Sequence, residues 1–226
     1  ESYLTIIATS ADVHIQYLKK VYNNSNFILV ENPLSDYSFS EFYEDLDPFN
    51  KIFVGYNLRL SKVIQYLKEV IRDLDKSGKL YNLNVLNTSH IKVWRNQPLS
   101  QSISLNPLKG GGALLELSHD IDLVNYLMSI DFNKSSVNRI NLPLNIKNID
   151  SSYHCLGLSK KNIPFSIFSS FSSHIIRKKY YLDTEEISYE VDLIQNTVKK
   201  YSLGNVFEII NFEENRDDTF LKQIKN

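Results

Sequence analysis

The 226-residue chain has a single cysteine, Cys155, so no internal disulfide framework can hold it together. Beside Leu156 and Gly157 that cysteine reads as a small buried hydrophobe, and no sequence pattern pairs it with a base. Charge of one sign is lacking too. Twenty-five Lys and Arg stand against 26 Asp and Glu, and a net charge of −1 excludes the basic footprint of a nucleic-acid binder. The triplet Arg177, Lys178 and Lys179 reads as a solvated strand end. No apolar run reaches the ~20 residues that cross a bilayer, so no membrane partner is expected. Nothing at the start resembles a signal peptide, which predicts a cytoplasmic protein. Internal repeats and low-complexity tracts are missing as well. A Glu-x-x-His pair occurs once, at Glu116 and His119; di-iron bundles need it twice with two further glutamates, so no metal is expected.

What is present is apolar. At 42% hydrophobic and 12% aromatic, the chain can build one large or two modest cores. It opens on Glu1 and enters a hydrophobic strand within two residues, which reads as a fragment of a longer protein.

Three of the seven glycines stand together at Gly110, Gly111 and Gly112. Such a run permits positive φ and close backbone approach. Leu117, Ile121, Val124 and Met128 then keep helical spacing, which predicts one helix from Gly112 with Glu116 and His119 flanking its buried face. The N-terminus of that helix would offer unpaired N–H groups to a polar or anionic ligand. The alternative is a tight glycine turn, with His119 a satisfied, half-buried histidine.

From the start of the chain, residues 3–8 and 27–30 are continuous apolar runs of the kind buried on both faces of a parallel sheet. Between them, Val13, Tyr17, Leu18 and Val21 keep helical spacing. Residues 38–46 read as a short helix, and residues 51–56 as a further strand. The clearest helix has Ser61 as N-cap, a stripe of Val63, Ile64, Leu67, Val70, Ile71 and Leu74, and Gly78 at its end. From Lys79 the character turns to β. Tyr81, Leu83 and Val85 alternate; residues 163–173, 187–193 and 196–201 read as strands; residues 207–212 suggest an edge strand, and a helix begins near Asp217. The fold class is α/β plus α+β: a partial doubly wound parallel sheet in residues 1–58, then a mostly antiparallel sheet domain with helices on one face in residues 59–226.

Four stretches in order carry a resemblance: Ile6 to Ser10 with His14; Val30, Glu31, Asn32 and Pro33; Val54 to Arg59; and the glycine helix with Glu116, His119 and Asp122. Together they resemble the Gfo/Idh/MocA oxidoreductases. Trp94, Arg95 and the run from Leu117 to Asp122 are similar to members in surface-polysaccharide and nonulosonic-acid sugar pathways. The resemblance implies a Rossmann-like NAD or NADP domain, hydride transfer to or from a sugar or nucleotide-sugar carbon, and a homo-oligomer built through the C-terminal sheet. It further implies Thr9, Ser10, His14, Glu31 and Asn32 beside the cofactor, His119, Glu116 and Asn32 as catalytic residues, and Tyr56, Arg59, Trp94, Arg95 and His119 toward substrate. Two departures stand out. The family's Glu-Lys-Pro is Glu31, Asn32, Pro33 here, and asparagine carries neither charge nor a titratable proton. No G-x-G-x-x-G precedes Tyr3, so the pyrophosphate turn is absent from this sequence. These departures open the alternative of a catalytically inactive binding or dimerisation protein of the same fold.

Overall fold

Short apolar runs separated by one amphipathic helix produce a parallel βαβ unit. In the computed structural model, which describes residues 2–36, 51–94, 98, 102–141 and 149–225, β1 (Ser2–Ile7), β2 (Ser25–Val30) and β3 (Ile52–Val54) form a parallel sheet in that order. Helix α1 (His14–Val21) lays Leu18 over Ile7, Ile28 and Val30. The apolar runs predict strands buried on both faces, and here the structure differs. Ile6, Phe27 and Phe53 are 49%, 36% and 51% exposed, and the Tyr3 ring meets Phe27 edge-on at 5.4 Å. One face is core; the other is open, because α1 covers only the side that carries Ile28 and Val30.

Helix α2 (Lys62–Ser77) follows the sequence pattern closely. Ile64 N–H donates to Ser61 Oγ at 3.4 Å, Val63, Ile64, Leu67 and Ile71 are buried, and Gly78 ends the helix at φ +69°. Each of those side chains contributes about 1.5–3 kcal/mol by leaving water. The stripe packs on an eight-stranded sheet of order β11-β10-β9-β8-β4-β7-β6-β5. Its members are β4 (Leu80–His90), β5 (Ile130–Ile140), β6 (Ser152–Ser159), β7 (Pro164–Ser170), β8 (Ser172–Thr184), β9 (Ser188–Asp192), β10 (Thr197–Ser202) and β11 (Asn205–Asn211). Neighbours are antiparallel except β4 and β7, which are parallel. The inward face carries Leu83, Val85, Tyr153, Cys155, Ile167 and Tyr180, which pack with α2 and with α5 (His119–Met128) into one core. The opposite face is mixed: Ser166 Oγ donates to Asn84 Oδ1 at 2.6 Å, and Leu86, Phe168 and Leu156 share that face. No helix among the described residues is long and apolar enough to cross a membrane.

Several expectations are corrected. The helix predicted from Gly112 is two: α4 (Ala113–Glu116) and α5, broken where hydrogen bonds slip from i−4 to i−3 at Ser118 and Asp120. The run 163–173 is not one strand, because the chain turns at buried Phe171 between β7 and β8. β5 and β6 carry no clear apolar alternation and were not anticipated. The triplet Arg177, Lys178 and Lys179 lies within β8 rather than at a solvated end. α3 (Ile91–Trp94) and α6 (Arg216–Lys225) complete the α-helices among the described residues. The helix expected over residues 38–46, and Arg95, lie outside the described residues.

Candidate active site

The glycine run does close-packing work within the protein. Gly110 and Gly112 hold φ of +77° and +114°. A Cβ at Gly111 would collide with the Ile103 carbonyl, and one at Gly112 would stand 2.6 Å from Asp150 Oδ1. The N–H groups that open α4 are taken: Ala113 N–H donates to the Asp150 carbonyl at 2.9 Å and Leu114 N–H to Asp150 Oδ2 at 2.7 Å. Asp150 is buried and also accepts from Arg139 Nη2 at 2.6 Å. The anion expected at this helix end is therefore Asp150 itself, which suits the positive end of the helix dipole. An external ligand finds no vacancy there.

What the break between α4 and α5 positions is His119. The next residue, Asp120, is fully buried and accepts three hydrogen bonds, from Asn87 Nδ2 at 2.7 Å, Ser169 Oγ at 2.9 Å and Tyr180 Oη at 3.0 Å. Three strands of the sheet thereby fix the first turn of α5. His119 lies against the Tyr56 ring, centroids 5.4 Å apart and nearly perpendicular. Its Nδ1 is buried and has no hydrogen-bond partner among the described residues. Burial, reinforced by the charge of Lys178, holds the imidazole pKa down to about 3. The ring is thus neutral at physiological pH. Glu116 Oε2 accepts from Trp94 Nε1 at 3.1 Å and Ser104 Oγ at 2.9 Å.

A cleft of about 900 Å³ runs from the carboxyl end of β2, at Glu31, Asn32 and Pro33, to Trp94, Glu116, His119 and Lys178. Its far wall comes from the β9–β10 turn and the segment entering α6. Five of the residues expected at a site therefore share one cavity: Glu31, Asn32, Trp94, Glu116 and His119. Thr9, Ser10, His14, Tyr56 and Arg59 are not among its described lining residues. His14 is buried, its ring nitrogens 3.0 Å from the Pro33 carbonyl and 3.1 Å from the Thr9 carbonyl, so it ties the β1 and β2 loops together. The Thr9 carbonyl takes part in that clamp, and the Ser10 carbonyl accepts from Val13 N–H at 3.1 Å. Tyr56 backs His119, and burial pushes its phenol pKa up. Arg59 is engaged by Asp122, with Nε to Oδ2 at 2.8 Å and a second contact from Nη2 to Oδ1. Burial pushes the Asp122 pKa up against the downward pull of Arg59. Sequence reasoning missed Lys178, whose inward direction depends on the register of β8. It also missed Leu193, Glu214 and Phe220, which no motif marks.

Three parallel strands with a ligand-sized cleft at their carboxyl edge, joined to a larger mixed sheet with helices, define a Rossmann-like α/β fold. No protein-family model and no curated protein matches the sequence. Solved structures do match. Levoglucosan dehydrogenase in complex with NADH and L-sorbose superposes with a TM-score of 0.82 at 15% identity, over 98% of this chain and 68% of that one. UDP-N-acetylglucosamine 3-dehydrogenase GnnA from Acidithiobacillus ferrooxidans gives 0.74 at 15%, over 98% and 67%. The super-repressor mutant of Gal80p from Saccharomyces cerevisiae gives 0.78 at 15%, over 98% and 65%. The chain shares the fold of these proteins and spans about two thirds of their length.

Proposed function

We propose that this chain carries the catalytic cleft of a cytoplasmic NAD(P)-dependent oxidoreductase that moves a hydride between a nicotinamide and a carbon of a sugar or nucleotide-sugar, in surface-polysaccharide or nonulosonic-acid metabolism. The carrying observation is the shared cleft: Glu31 and Asn32 at the carboxyl edge of a parallel sheet open onto His119, whose Nδ1 is buried without a partner. A buried polar atom left unpaired costs about 1–3 kcal/mol, and a substrate hydroxyl would satisfy it. Similarity to dehydrogenase structures solved with NADH and with L-sorbose supports the same reading.

The residues present suit the nicotinamide end of a dinucleotide. Glu31 and Asn32 would hold the ribose beside it, and His119, packed against Tyr56 with its Nδ1 buried, would exclude water on its side. The bound nicotinamide supplies the hydride acceptor or donor. Residues 1–58 would serve the cofactor and residues 59–226 the substrate, with the open face of the large sheet pairing with a second copy. The phosphate-binding turn is not among these residues, so this chain by itself should hold dinucleotide weakly.

A second reading is a catalytically silent binding protein, favoured by Asn32 at the position where the family carries lysine and by the likeness to a repressor. Fold alone does not decide between them. Absorbance at the reduced nicotinamide band, followed with NADH, NADPH, NAD and NADP against a panel of free and nucleotide-linked sugars, tests both. Turnover supports the oxidoreductase. Cofactor binding without turnover by wild type or Asn32→Lys supports the silent protein.

A further inference from the structure

The sugar oxygen that gains or loses a proton during hydride transfer needs a titratable partner, and the expected one is poorly suited. His119 is held neutral by burial, so it is no imidazolium acid near neutral pH and holds an accepted proton weakly. Asn32 offers an amide only. Glu31, Glu116 and Glu214 line the same cleft and would repel the negative charge that develops on that oxygen.

Among the described lining residues, Lys178 is the only lysine or arginine. Its direction follows from register. In β8, Lys178 pairs with Asn87 of β4, and Asn87 reaches Asp120 from the inward face; Tyr180, two residues on, reaches the same carboxylate. Lys178 shares that face and points toward the start of α5. The flanking Lys179 falls on the opposite face, 2.6 Å from Glu190 Oε1. The Lys178 carbonyl accepts from Leu193 N–H at 2.9 Å, which fixes the backbone at the cleft wall independently of the side chain.

We propose that Lys178, rather than His119, carries the proton to and from the reacting sugar oxygen, its Nζ hydrogen-bonded to that oxygen while His119 Nδ1 orients a substrate hydroxyl. The inference rests on the oxidoreductase reading. In the oxidation of a secondary alcohol, the C–H bond breaks with its electron pair leaving as hydride to the nicotinamide. Lys178 first releases its own proton to water; the O–H bond then breaks with its proton passing to the Nζ amine, which leaves a ketone and an ammonium. Reduction returns the same proton from Nζ. A lysine on this strand thus restores from the opposite wall what Asn32 cannot supply.

The test uses the full-length protein and the best sugar from the panel. Lys178→Met should lower kcat by about 10²–10⁴-fold, the usual range for general acid–base catalysis, with a smaller change in sugar KM. Lys178→Arg should stay low, because guanidinium keeps the charge but does not release a proton. Adding Asn32→Lys to Lys178→Met should recover part of the rate, a result that misfolding would not give. By NMR, His119 should titrate at higher pH in Lys178→Met, since Tyr56, Glu31 and Glu116 remain around it and only the cation is gone. Wild-type-like turnover of Lys178→Met or Lys178→Arg, or an unmoved His119 titration, overturns the role of Lys178 and leaves the oxidoreductase intact. An inactive wild type that binds cofactor overturns the oxidoreductase reading, and this inference with it.

Discussion

Tyr180 Oη donates to Asp120 Oδ1 at 3.0 Å, and both residues are wholly buried between β8 and α5. This contact joins the element that carries Lys178 to the element that begins with His119. The placement of both residues at the cleft therefore depends on a buried polar network far from solvent, where each donor counts because none can be replaced by bulk water. Tyr180→Phe removes one of three donors to the carboxylate. A stability loss of about 1–3 kcal/mol is expected, read as a fall in Tm of about 2–4 °C per kcal/mol. Unchanged melting would mean that Asn87 and Ser169 suffice.

His119 gives the protein a pH dependence whose sign is fixed. Its pKa falls from the ordinary 6.5 to about 3 in the folded chain, so between those values the unfolded state binds more protons. Stability rises with pH there, by up to about 1.4 kcal/mol per pH unit for one proton, and is fully present above pH 6.5. Asp122, whose pKa is raised by burial, acts in the opposite direction above its ordinary 3.8. The difference between wild type and His119→Gln isolates the histidine. Chemical denaturation from pH 3 to 8 should show that difference flat above pH 6.5 and sloping below it. A flat difference throughout would mean that the imidazole titrates normally.

Gly112 holds φ +114° and ψ +155°, a region that only glycine occupies freely, with Asp150 Oδ1 2.6 Å from where a Cβ would lie. Gly112→Ala should cost about 1–3 kcal/mol in backbone strain and more from the displaced carboxylate. Gly78→Ala is the control. It has positive φ as well but nothing within 4 Å, so only the strain remains. Urea midpoints of the two variants should differ, with Gly112→Ala the lower.

Arg59 illustrates how a residue that fits a motif can have other work. Its guanidinium grips Asp122, whose side chain is only 6% exposed while that of Arg59 is 39% exposed. Arg59→Leu leaves that carboxylate buried without its cation. A loss below the ~3–5 kcal/mol of a fully buried pair is expected, because Arg59 is partly solvated. Sugar KM should stay within about 2-fold of wild type. A large rise in KM with unchanged stability would return Arg59 to the substrate.

The βαβ unit, the α2 stripe and several of the later strands were legible because burial imposes a period on apolar residues. Val63, Ile64, Leu67 and Ile71 face the core at helical spacing. β5 escaped notice since most of it is exposed and no alternation is required of it. Glu31, Asn32, Trp94, Glu116 and His119 were legible only through resemblance, and the cleft they share was not. Lys178 was illegible for a sharper reason: three adjacent cations look alike in sequence, and only the pairing of Lys178 with Asn87 shows which one turns inward.

Trp94 is the only tryptophan in the chain, and it stands on the cleft wall. Its Nε1 donates to Glu116 Oε2 at 3.1 Å and its ring lies 5.4 Å from Phe171. The indole is 36% exposed, so its emission should respond to whatever enters the cleft. Addition of NADH or of a substrate sugar should quench or shift that emission with a saturable dependence, and energy transfer to the reduced nicotinamide should appear with NADH. Glu116→Ala should shift the emission of the unliganded protein to the red, because it removes the carboxylate that holds the indole N–H. Sugar affinity should fall in the same variant by about 10-fold, the effect of roughly 1.4 kcal/mol. Emission that ignores a ligand bound with measurable heat would mean that the ligand lies elsewhere, and the shared cleft would lose its standing as the candidate active site.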